Sequence, residues 1–226
     1  MSRRRWVSVT WPIEMRELGK RMQDRLFSES TASGFVIERI RNTYVEGQFI
    51  EQVNFHERVV DPIGRELHSD RVEFYQTQFI ASTSGPGLEI IDSSKGTRFF
   101  VNQISSICDD AVALSGLTVD PLVWGQETQK ILDTNLVTDS LQISDLTVVD
   151  GVKAKIILSG NSDVRNAAEI IANGKNYRVE KIKLSTECKP KNSIVLSING
   201  AATTFGKNDE SFVLPVREAL SSIFRF

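Results

Sequence analysis

The chain is poor in histidine and cysteine, with two of each in 226 residues. That scarcity excludes several chemistries at once. Cys108 and Cys188 stand far apart, so they do not make a disulfide framework, and neither belongs to a paired zinc-ligand motif. His56 and His68 lack the short interval that aims two imidazoles at one metal, and no His-Glu-x-x-His occurs. No Gly-x-Ser-x-Gly elbow is present, and Ser82-Thr83-Ser84-Gly85-Pro86-Gly87 reads as a loop. There is no Walker-type phosphate loop and no dinucleotide fingerprint. No apolar run approaches the length of a membrane span. The basic start, Arg3-Arg4-Arg5, leads into an apolar stretch interrupted by Ser8 and Thr10, too short for a signal peptide. The expected location is cytoplasmic, with no membrane partner.

What is present is ordinary for a folded protein: 40% hydrophobic and 25% charged residues. A net charge of -2 argues against a protein that coats nucleic acid by charge alone, while leaving room for a local basic face.

The pattern along the chain reads as an α+β fold. Trp6-Val7-Ser8-Val9-Thr10-Trp11 has strand composition, and Pro12 suits the first turn of a helix carrying Met15, Leu18, Met22 and Leu26. Strands are expected at roughly 35–45, 48–60, 70–82 and 87–92, the middle two separated by Asp61-Pro62-Ile63-Gly64. Phe100, Ile104, Ile107, Ala111 and Leu114 form a second helix stripe, with Gly116 as its stop. A connector is expected over 117–140, with a short helix near Gln126–Asp133. Beyond it, Asp150-Gly151 lies between two alternating runs and predicts a tight hairpin. A helix capped by Ser162 or Asp163, strands near 177–187, 193–199 and 201–206, and a last helix striped by Val216, Ala219, Leu220 and Ile223 complete the chain.

The chain also echoes itself. Phe35-Val36-Ile37-Glu38-Arg39-Ile40-Arg41 returns, conservatively altered, as Tyr177-Arg178-Val179-Glu180-Lys181-Ile182-Lys183. The echo suggests two tandem units, each an antiparallel sheet backed by helices: an N-terminal unit over 1–116 and a C-terminal unit over 141–226.

Three constellations could carry function. The densest is His56-Glu57, Asp61, Glu66, His68 and Asp70, which holds the residue types of a metal or acid/base site. Its spacing fits a hydrated hairpin tip better. The second is Glu187-Cys188-Lys189 with Asp150 or Asp163 upstream, a layout used by magnesium-dependent nucleases. The third is a set of basic pairs. Alternation places Arg39 with Arg41, and Lys181 with Lys183, on one face of their strands, with Tyr75, His56, Gln52 and Asn54 nearby.

With no spaced catalytic set, the sequence points to a non-enzymatic recognition or adaptor protein, a subunit of a bacterial or viral multi-protein system. The expected contact surface comprises Arg39, Arg41, Lys181, Lys183, His56, His68 and Tyr75. The expected partner is a protein, with no cofactor and no metal. A nucleic-acid binder using the basic sheet faces is the first alternative, and a metal-dependent hydrolase or nuclease the second. Edge strands leave homo-oligomer formation open.

Overall fold

In the computed structural model, which describes every residue except 94–96, 188–190, 207–208 and 225–226, the β-branched and aromatic runs become strands and the apolar stripes become helices. Among the described residues there are eleven strands and five α-helices, and the fold is α+β. Two compact units divide the chain. One comprises Thr10–Thr83 and Leu88–Ala113, and the other Met1–Val9, Ser84–Gly87 and Leu114–Phe226. These units cross the boundaries expected at 116 and 140: the first strand belongs with the C-terminal residues, and 117–140 is part of a core rather than a connector.

The first unit, here the arm-bearing unit, contains α1 (Met15–Gln23), β2 (Ser33–Ile40), β3 (Tyr44–Val60), β4 (Glu66–Ser82), most of β5 (Gly87–Ile91) and α2 (Arg98–Ile107). Its strands pair in the order β2-β3-β4-β5, each antiparallel to the next. Helix α1 starts at Met15 rather than at Pro12, and its stripe of Met15, Leu18 and Met22 is fully buried. The core is aromatic. Phe35 and Phe49 lie 5.0 Å apart between ring centroids, and Phe79 and Phe100 lie 5.2 Å apart. Tilted and edge-on pairs of this kind stabilise a core beyond the area they bury.

Helix α2 stops at Ile107, well before Gly116, because the chain turns left-handed at Asp109 and Asp110 (φ 54° and 58°). Arg21 holds that end, donating to the Ile107 carbonyl (2.9 Å) and to Asp109 Oδ2 (2.7 Å). A cation at the carbonyl end of a helix also complements the helix dipole. Cys108 is buried there, and that burial pushes its thiol above the ordinary range.

The second unit, here the terminal unit, holds β1 (Ser2–Thr10), most of β6 (Ala113–Gly116), α3 (Pro121–Leu132), β7 (Leu136–Val149), β8 (Val152–Ser159), α4 (Arg165–Ala172), β9 (Arg178–Thr186), β10 (Ser193–Ser197), β11 (Ala201–Phe205) and α5 (Val213–Ile223). The sheet order is β1-β11-β10-β9-β7-β8. Gly151 takes φ +73° in the β7–β8 turn, as the Asp-Gly pair predicts.

Helix α3 is longer than its expected remnant at 126–133. Pro121 occupies its first position, and Asp120 caps it by accepting from the Leu122 amide at 2.8 Å. Gly125 lets the helix lie close on the sheet, since a Cβ there would fall 2.8 Å from Ile182 Cδ1. Next to it, Trp124 is completely buried; its Nε1 donates to the Val216 carbonyl at 3.0 Å, and Trp6 meets it edge-on at 5.6 Å.

The two echoing segments do not occupy matching places. Strand β2 stands at the end of its sheet path, whereas β9 lies between β10 and β7. Among the described residues, no helix is long and apolar enough to cross a membrane.

Trp124 joins α3, α5 and β1, so its loss should be costly. Trp124→Ala is expected to destabilise the protein by about 3–5 kcal/mol, through the cavity and the carbonyl left without its donor. Urea unfolding followed by fluorescence and circular dichroism measures this, and a loss under about 1 kcal/mol would show that the tryptophan does not hold these elements together.

Candidate recognition surfaces

Strands β3 and β4 have 17 residues each, far more than the neighbours flanking them. Pairing of β2 with β3 ends at Ser33↔Glu51, and pairing of β4 with β5 begins only at Gln78↔Ile91. Between these limits the two strands pair with each other as a ribbon. At roughly 3.3 Å per residue, Val53 to Val60 alone runs on the order of 25 Å. We call this ribbon the arm.

Its tip is a built turn. Asp61 Oδ1 accepts from the amides of Ile63 (3.0 Å) and Arg65 (2.7 Å), and Gly64 takes φ +82°. The arm's acids engage local bases or the turn backbone. His56 Nδ1 lies 2.7 Å from Asp70 Oδ1, directly across the ladder, and Arg58 pairs with Glu66. Arg71 stacks over the Phe55 ring at 5.1 Å and reaches Glu73 at 3.0 Å and Glu57 at 3.7 Å. Among the described residues no group of three metal-ligating side chains forms.

Side chains alternate along the arm, which separates residues the sequence grouped together. Gln52, Asn54 and His56 share one face with Phe74, Val72, Asp70 and, opposite Arg58, His68. Tyr75 lies opposite Glu51 on the other face, where its hydroxyl donates to Glu73 Oε2 at 2.8 Å. Arg39 pairs with Glu46 at 3.6 Å across a register shift in β2, so plain alternation fails there. Arg41 lies beyond the end of β2, in the turn leading to β3, with its guanidinium on the Ile40 carbonyl. The two arginines are therefore not a strand pair.

The arm also carries an apolar set that the sequence reading did not single out. Val59, Val60, Ile63, Val72 and Phe74 are each at least half exposed, from 50% at Val59 to 75% at Ile63. Phe74 touches Phe27 edge-on at 6.1 Å near the base of the arm. The signal was the run Val59-Val60 ahead of the turn, too short to distinguish from a core strand end.

In the terminal unit, Lys181 and Lys183 do lie on one face of β9, opposite Ser197 and Val195 of β10. The same face receives Arg3 and Arg5 of β1, opposite Thr203 and Ala201 of β11. Its carboxylates are occupied. Glu180 is held by Lys155 (2.6 Å) and Gln142, and these donors, with Ser144, bring its carboxyl down to about 2.

Asp139, near the start of β7, is a buried acid of this unit. Its Oδ2 accepts from Ser185 Oγ at 2.6 Å and Lys191 Nζ at 3.2 Å, with Lys183 Nζ at 3.5 Å, while Oδ1 is buried without a hydrogen-bond partner. Burial opposes its ionisation, but the Ser185 hydroxyl and the two ammonium groups outweigh it and hold the carboxyl below the usual range. The acids expected upstream of Glu187 lie elsewhere: Asp163 chelates Arg165 beside α4, and Asp150 sits in the β7–β8 turn. Glu187 is an exposed bend residue, and Cys188 and Lys189 lie outside the described residues.

Comparison with protein-family models finds no match, and comparison with curated proteins finds none either.

A carboxyl whose folded value is depressed stabilises the fold above its unfolded value, and that contribution disappears as pH falls through the folded value. Asp139→Asn should therefore cost about 1–2 kcal/mol near pH 7, where the charged hydrogen bonds exist, and progressively less at a pH low enough to protonate the folded carboxyl, below the ordinary carboxylate range. Urea unfolding of both proteins at the two pH values checks this. An equal deficit at both would mean that the charge of Asp139 contributes nothing.

Proposed function

We propose that this protein is a non-enzymatic recognition or adaptor subunit, and that the β3–β4 arm is the part that engages a protein partner. One observation carries the reading: an extended two-stranded ribbon that displays Val59, Val60, Ile63, Val72 and Phe74 to solvent. A two-stranded ribbon has no sheet or helix behind it on which to bury such side chains, and isolated ribbons are marginal in water. Val60, Val72 and Phe74 share one face, Val59 lies on the other and Ile63 in the turn, and exposed apolar side chains on a charged background mark interaction sites. Covering these five would contribute on the order of 5 kcal/mol before the costs of association.

The charges around them supply register. Arg58 pairs diagonally with Glu66, and Arg71 reaches Glu57 across the ribbon and Glu73 along its own strand, so charged groups border the apolar ones. A partner that offers an apolar groove with charged rims would be aligned by the same groups.

The ladder provides a clean test. Val53 and Glu73 are direct partners, so residues 54–72 can be replaced by Asn-Gly, a turn that keeps their register. The shortened protein is expected to keep its circular dichroism and most of its stability. A protein that copurifies from the native host after nuclease treatment, and that crosslinks to a photoreactive residue at position 60, should be lost on shortening. An unchanged set of copurifying proteins would remove the arm from the recognition surface.

A further inference from the structure

We infer that the open face of the terminal unit's sheet binds single-stranded nucleic acid, a property that goes beyond the protein contacts assigned to the arm. The face is defined by register. Arg3 and Arg5 on β1, then Thr203 and Ala201 on β11, then Val195 and Ser197 on β10, then Lys183 and Lys181 on β9 stand side by side across four strands. With neighbouring strands about 4.8 Å apart, the arginine row and the lysine row are roughly 14 Å from each other. Between them lies a shallow depression of about 620 Å³, floored by the small side chains and bordered by Phe205.

Charge selects the ligand. The face carries Arg3, Arg5, Lys155, Lys181 and Lys183 against Glu180 and Asp139. Five cations less two carboxylates leaves a local excess of three, on a chain whose total is -2. Both carboxylates are engaged: Glu180, at the edge of the depression, by Lys155 and Gln142, and Asp139 in its cage, with only 8% of its side chain exposed. Arg5 and Lys181 are exposed and make no ion pair among the described residues. Two cationic rows with a neutral floor between them suit an extended phosphate chain along a rim, with its bases laid inward. The floor offers hydroxyl and amide groups from Ser197, Thr203 and Gln142 to base edges, and Phe205, 36% exposed, offers one ring for stacking. An acidic protein segment would match the charge but would leave Phe205 and the floor without a planar partner.

Salt dependence gives the measurement. If about four phosphates are neutralised, the slope of log affinity on log salt is near -2.8, or roughly a 50-fold loss between about 50 and about 200 mM salt. Fluorescence anisotropy with a labelled oligothymidylate, using the full chain, should show that loss. The double variant Arg5→Gln with Lys181→Gln should bind at least about tenfold more weakly at the lower salt, with the slope reduced to about -1.4, since each cation accounts for about 0.7. Because both side chains are exposed, its thermal midpoint should be unchanged, which separates lost binding from lost folding. The inference is overturned by absence of oligothymidylate binding at about 50 mM salt, or by an unchanged slope in the double variant. Equal competition by polyglutamate of matched charge would also overturn it, by showing that the face takes any polyanion. The arm-shortened protein should bind the oligonucleotide normally, so failure here and failure of the arm reading are separable.

Discussion

The seating of Trp6 is the contact on which the terminal unit depends. It draws the first strand of the chain into a core built almost wholly from the last half. Its indole is 3% exposed and meets Trp124 edge-on, while its backbone amide donates to the Gly200 carbonyl at 2.8 Å. With Trp6 fixed, Ser2 to Arg5 fall into register with Thr204 to Ala201, and β1 becomes the strand that closes β11. Without β1 the basic face would lose its arginine row and β11 would be left with an open edge. The hydrophobic payload of one aromatic side chain thus decides both the topology of the sheet and the charge of its outer face.

That dependence explains where the sequence was legible. Strand and helix positions follow from periods of two and of 3.6, and these survive into the structure nearly element by element. The Asp150-Gly151 hairpin and the stripe of α5 needed nothing beyond local pattern. Membership of β1 did not yield to local reading, because its partners lie some two hundred residues away and nothing in Trp6-Val7-Ser8-Val9 names them. Length without support was equally hidden. The strands on either side of Asp61-Pro62-Ile63-Gly64 could be read as long, but only the register shows that β2 leaves β3 at Glu51 while β3 runs on to Val60.

Asp139 shows the same limit at the scale of one side chain. The sequence reading left it inside the connector expected over 117–140, ahead of the strand expected to begin at Leu141. Its partners Ser185 and Lys191 lie 46 and 52 residues further on. Sequence reasoning set Glu187 with Asp163 or Asp150 upstream, although it placed those acids in a helix cap and a turn. The pairing of β7 with β9 instead brings Asp139 beside that strand, since Thr138↔Leu184 and Val137↔Ser185 fix the register there. The echo between 35–41 and 177–183 misled in a related way. Similar letters made two strands, but one ends a sheet path and the other is enclosed, so their basic pairs meet different surroundings.

Charge is distributed differently on the two surfaces of this mildly acidic chain. On the arm, five carboxylates over residues 53–73 face three arginines, and the pairs Arg58–Glu66 and Arg71–Glu57 run diagonally across the ladder, so an acidic balance surrounds the exposed apolar side chains. On the terminal sheet the balance is reversed. The acids are engaged by lysine, serine and glutamine donors, and Arg5 and Lys181 are exposed. Screening shortens the reach of such a field to about 10 Å at ordinary ionic strength, so net charge says little about what either surface binds. What decides it is which carboxylates the fold has already engaged. Glu180 and Asp139 are held by neighbouring donors, while Arg5 and Lys181 stand exposed on the same face without an ion pair among the described residues.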